Sequence, residues 1–158
     1  MAKSMGIESV KIISATSIET APWVVLKCKY GCDKYNSSKY CPPNTPSYKE
    51  TREIINCYNY ALLIKCTSRS SLSKNILELE KSMSNDWYYK AFAIGVGSCK
   101  ICKACKSTKC ANQEKVRPSM EACGIDIVST MKANGYNISI ENKGNNDNED
   151  CYGLILIE

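Results

Sequence analysis

YKAFAIGVGSCKICKACKSTKC, residues 89–110, runs from an apolar segment through Gly95 and Gly97 into four closely spaced cysteines. Residues 89–97 read as a strand ending in small residues, and the rest reads as a loop. The stretch therefore puts a thiol-rich site just outside the end of a sheet. Working outward, short runs at 7–15, 23–28, 60–66, 137–140 and 151–157 also read as strands. Thr45-Pro46 supplies an N-cap and a first-turn proline for a helix over 46–57. Leu72, Ile76, Leu79 and Met83 mark one face of a second helix. Pro118 opens a third, with Met120, Cys123, Ile127 and Met131 on one face and Gly135 in the C-terminal cap position. The class expected is α/β: a layered α/β sandwich of two or three layers on a mixed sheet, with two cysteine-rich metal-binding loops. No repeat or linker divides residues 1–158, which read as one domain. The acidic tip at 147–150 lacks the spacing and glycine of a calcium loop and reads as a solvated turn.

Eleven cysteines in a chain of 158 residues are the anomaly. A domain of this size buries a core without covalent staples. No run approaches the roughly 18 apolar residues of a membrane span, and MAKSMGIESVKIIS carries no signal-peptide pattern. The protein is expected in the cytosol, where such cysteine density signifies metal or redox chemistry rather than disulfides. Histidine is absent, which excludes Cys2His2 zinc fingers, Rieske centres, Cys–His nucleophiles and H-E-x-x-H hydrolases. The net charge of +5 counts thiols as neutral. Two four-thiolate [4Fe–4S] clusters of charge −2 would bring it to about +1. The lysines form no recognisable nucleic-acid reader, so no nucleic-acid partner is expected.

Cys99-x2-Cys102-x2-Cys105 is the sharpest signal, because two-residue spacing lets a loop curl around a compact cluster. Cys110 follows after four residues as the fourth candidate ligand. Zinc, which more often uses two separated knuckles, is the alternative cofactor. Cys28-x3-Cys32-x8-Cys41-Pro-Pro forms a second, looser candidate group. Three cysteines leave one position of a cluster for a remote cysteine, a water or a substrate. Cys57, Cys66, Cys123 and Cys151 read as buried structural thiols, although one of them could complete the Cys28 group. Lys100, Lys103, Lys106 and Lys109 recur every third residue, suited to an anionic cluster or an acidic redox partner. Equally, they are the solvated face of a loop. Arg117 is a candidate contact for an anionic ligand at a helix start, with Glu121 answering it from one turn on.

With both loops in view, the chain resembles a family of predicted metal-binding proteins, a domain of unknown function in anaerobic bacteria and archaea. The residues that carry the likeness are Cys28, Cys32, Cys41-Pro42-Pro43, Tyr89-Lys90-Ala91, Gly97-Ser98-Cys99 and the segment Arg117 to Asp126. Ser98 stands where the family pattern has proline, and Ala111-Asn112-Gln113 where it has Arg-x-Pro. The resemblance implies an iron–sulfur or other metal site at the Cys99 group and a second at the Cys28 group, and it implies no reaction. The function expected is one-electron transfer through one or two [4Fe–4S] clusters. The alternatives are an iron–sulfur enzyme with an open iron at the Cys28 loop and a zinc-stabilised binding module.

Overall fold

In the computed structural model, which describes residues 6–105, 109–138 and 150–158, four strands form one sheet. They are β1 (Ile7–Ser14), β2 (Tyr60–Cys66), β3 (Phe92–Ile94) and β4 (Cys151–Leu156), in the order β1–β2–β4–β3. Side chains alternate across a strand with period two, and the two faces of this sheet are both apolar. Ile13, Ala61, Leu63, Leu154 and Leu156 line one core, whereas Ile7, Ile64, Cys66, Ala93 and Ile155 line the other. A sheet with two buried faces needs a cover on each, so the chain forms three layers.

One cover is the helix α3 (Arg69–Asp86), which delivers Leu72 and Ile76 to the second core, with Leu79 and Met83 packed at its edge. This is the face expected from the periodicity. The other cover combines α2 (Tyr48–Ile55), a 3-10 turn at Glu121–Cys123 and α4 (Ile127–Ala133). These bring Ile55, Met120, Cys123, Ile125 and Met131 onto the first core.

The expected α/β layering is present, with local departures. All three ladders are antiparallel, and the parallel component of the expected mixed sheet is a single bridge between Gly95 and Ser119. Residues 23–28 lie in a helix, α1 (Trp23–Gly31), rather than a strand. Pro22 supplies the helical φ of −65° at its cap, and its fixed ring favours a helix start over a ladder. α2 begins two residues later than Thr45-Pro46 suggests. Ser47 Oγ accepts from Glu50 N at 3.3 Å and Glu50 Oε2 accepts from Ser47 N at 2.8 Å, a reciprocal capping box. The expected helix from Pro118 is broken at Gly124, whose φ is +72°, and restarts after Asp126. The expected strand at 137–140 and the acidic turn at 147–150 extend into residues outside those described. No helix among the described residues is long and apolar enough to cross a membrane.

Candidate metal centre

The helical turn of α1 brings its cysteines together. A strand would put Val24 and Cys28 on one face with Leu26; the helix instead aligns Val24, Cys28 and Cys32 at steps of four. Val24 is buried, Leu26 is exposed, and Cys28 and Cys32 face a cavity of about 300 Å³. Cys41, buried in the turn before a cis Pro42–Pro43 peptide, lines the same cavity. So does Glu121 from the 3-10 turn. A strap at 19–21 fixes α1 beside that turn. Ala21 N donates to Gly124 O at 3.0 Å, Asp126 N donates to Glu19 O at 2.8 Å, and Thr20 bridges Ile125.

The groups at this cavity sense one another. Burial pushes the Cys28 thiol above its ordinary pKa, and the negative charges of Glu121, Cys32 and Cys41 push it the same way. Among the described residues no three Cys, Asp or Glu side chains stand close enough together to hold a metal ion. Cys28, Cys32 and Cys41 nevertheless converge on one space, as their sequence grouping suggested. None of the remaining cysteines lines it. Cys66, Cys123 and Cys151 are buried in the two cores as expected. Cys57, expected to be buried, is exposed at the end of α2, its thiol 3.5 Å from Glu53 O.

The Cys99 loop leaves the sheet through Gly95 and Gly97. Gly95 N donates to Pro118 O at 2.7 Å and Met120 N donates to Gly95 O at 3.2 Å. The segment after the loop therefore returns along the free edge of β3. Asn112 then lies among the thiols: its backbone N–H donates to Cys110 Sγ at 3.4 Å and its side-chain amide to Cys102 Sγ at 3.4 Å. Tyr40, from the other cysteine loop, reaches the same place. Its phenol is pushed up to about 12 by burial first, then by its hydrogen bond to Cys110 and the negative charge of Cys110 and Cys99. A phenol so raised stays a donor throughout the neutral range. Asn112 thus bridges Cys110 and Cys102, Tyr40 lies beside Cys110 and Cys99, and Cys105 stands exposed in the loop.

Neither Tyr40 nor Asn112 carried a sequence signal, since each is a common surface residue whose neighbours are set by loop return. Lys100, Lys103 and Lys109 are exposed around the thiols; Lys106 lies outside the described residues. A second cavity, of about 330 Å³, adjoins Cys99 and is lined by Arg69, Lys100, Lys115 and Arg117. Gly97 and Ser98 line both cavities, so the two cysteine groups are neighbours.

Arg117 does not face Glu121. Its Nε and Nη2 bond the Glu80 carboxylate at 2.8 and 2.5 Å, and Nη1 bonds Gln113 O and Val116 O, each at 2.8 Å. The guanidinium also lies 5.2 Å from the Phe92 ring centre. Four N–H···O bonds to the protein leave this arginine little capacity for a ligand.

The chemistry open to these loops is that of thiolates, the soft donors that hold zinc and iron–sulfur clusters. No curated protein and no solved structure matches the chain. A family described as "Predicted metal-binding protein (DUF2284)" matches residues 11–157, both cysteine groups included, and the chain belongs to that family.

Proposed function

We propose that Cys99, Cys102, Cys105 and Cys110 hold a [4Fe–4S] cluster and that the protein carries single electrons in the cytoplasm. The observation that supports this best is Asn112, whose backbone N–H donates to Cys110 Sγ and whose side-chain amide donates to Cys102 Sγ. Hydrogen bonds to cysteine sulfur are a lever by which proteins set cluster potential. When bound, the cluster supplies one-electron transfer between its 2+ and 1+ levels. Asn112 holds Cys102 and Cys110 in register and spreads their negative charge. Exposed Lys100, Lys103 and Lys109, around exposed Ile101, make a surface suited to an acidic redox partner.

The test is iron, acid-labile sulfide and zinc per chain on anaerobically purified protein, with its visible spectrum. Cys102→Ala is expected to lose about four iron and four sulfide relative to wild type. Stoichiometric zinc without sulfide, or a Cys102→Ala chain with its full metal content, would overturn the proposal. Asn112→Ala removes one N–H···S bond, which favours the reduced, more anionic state. Its potential is expected to move to a more negative value, by roughly 40 mV for about 1 kcal/mol of lost differential stabilisation. Redox titration followed by EPR reads the shift.

A further inference from the structure

The cavity of about 330 Å³ beside Cys99 is lined by the start of α3, the loop at 97–101 and the return segment at 115–117. Its charge is one-sided. Arg69, Lys100, Lys115 and Arg117 line it, and among the described residues no Asp or Glu does. Glu80 offsets Arg117. Arg69, Lys100 and Lys115 take part in no ion pair among the described residues. The cavity at Cys28 differs, since Glu121 and Asp126 line it together with Lys27 and Lys34. α3 adds to the positive field beside Cys99. Its N-terminal end is the positive pole of an 18-residue helix, and its first turn holds no acidic residue to answer it. Arg69 opens that turn, and its Nη1 lies 3.9 Å from where a Cβ on Gly97 would stand. The guanidinium therefore reaches from α3 toward the Cys99 loop. Buried Ile76 and Val116 give the same cavity an apolar wall.

We infer that this cavity binds a small, multiply charged organic anion, a phosphate ester or a dicarboxylate. Its oxygens bond Arg69, Lys100 and Lys115, and its carbon skeleton packs against Ile76 and Val116. Three uncompensated cations around one space repel one another, and a bound dianion relieves that repulsion more than a monoanion does. The volume suits a small ligand, at the lower end of the range for small-molecule sites. The apolar wall favours an organic anion over an inorganic one, because free phosphate has nothing to bury there. A bound anion would lie beside Cys99, yet its binding needs no metal on that thiol, so the inference stands apart from the electron-transfer reading.

The test is isothermal titration calorimetry of the anaerobically purified protein with butyl phosphate, succinate, inorganic phosphate and butanol. Saturable binding of butyl phosphate or succinate at one site per chain is expected, and the tighter of the two names the class. Inorganic phosphate should bind more weakly than butyl phosphate, and butanol should give no saturable binding. Arg69→Gln and Lys115→Gln, both at exposed positions, should each weaken binding by about tenfold or more. Lys81→Gln removes the same charge from an exposed site further along α3 and should change affinity by no more than about twofold. Three results would each overturn the inference: no saturation by either organic anion below about 10 mM, equal weakening in all three variants, or inorganic phosphate bound as tightly as butyl phosphate. Iron, sulfide and zinc are counted on the same samples. An iron-free chain that still binds the anion through Arg69 sinks the electron-transfer reading and leaves this one standing.

Discussion

Glu80→Ala is expected to destabilise the protein by about 3 kcal/mol, lowering its melting temperature by about 6–12 °C. Glu80 lies on the sheet-facing side of α3, and its pair with Arg117 leaves only 11% and 19% of the two side chains exposed. Truncation would strand a buried guanidinium, which costs far more than a surface pair is worth. It would also orphan the Ala93 N–H, which donates to Glu80 Oε2 at 2.7 Å. That N–H belongs to the edge strand β3, so the carboxylate closes a sheet edge as well as pairing with a charge. The surface pair Lys65–Glu8 is the comparison. Glu8 is 46% exposed, and Glu8→Ala is expected to cost within about 0.5 kcal/mol. Arg117→Ala on the Glu80→Ala background should add less than it does alone, because the stranded charge is then gone. Equal, additive losses would mean that the pair does not act as a unit.

The same residues mark where the sequence was readable. The apolar periodicity of α3 was legible because Leu72, Ile76, Leu79 and Met83 repeat at helical spacing. Glu80 lies one position beyond Leu79 and looks like ordinary solvated charge, since its partner is 37 residues away. Strands β2 and β4 were legible as apolar runs. Residues 23–28 were not, because β-branched composition argued for a strand while Pro22, one residue earlier, set a helix. The grouping of Cys28, Cys32 and Cys41 follows from local spacing, and the fold keeps it. Arg117 and Glu121 looked like an i,i+4 pair, but that reading requires a continuous helix between them. The backbone from Arg117 to Ser119 instead lies along β3 and only turns at Met120, sending the two side chains to different cavities. Sequence spacing could not reveal this, since it depends on a long-range bridge from Gly95 to Ser119.

Gly124→Ala is expected to cost about 2–5 kcal/mol, combining a left-handed backbone with overpacking. The residue has φ +72°, and an added Cβ would lie 2.8 Å from Tyr48 Cβ and 2.9 Å from Tyr48 Cα. Tyr48 is the first residue of α2, so the obstruction includes helix backbone and cannot swing aside. Two other glycines separate the contributions. Gly135 has φ +84° but only the flexible Lys11 Nζ at 3.7 Å, so Gly135→Ala should carry the backbone strain alone, about 1 kcal/mol. Gly31, at the end of α1, has nothing within 4 Å, and Gly31→Ala is expected to be neutral or stabilising by up to about 1 kcal/mol. Urea unfolding of the three variants tests the order, and a Gly124→Ala chain no less stable than Gly135→Ala would refute the steric part. The consequence extends to the cysteine cavity. Gly124 N donates to Glu121 O at 3.0 Å and Gly124 O accepts from Ala21 N at 3.0 Å, so this glycine joins the carboxylate turn to the strap that seats α1. Prising the turn from α2 moves Glu121 relative to Cys28. If Cys28, Cys32 and Cys41 hold metal, Gly124→Ala should bind it less tightly, while Gly135→Ala, strained but remote from the strap, should not.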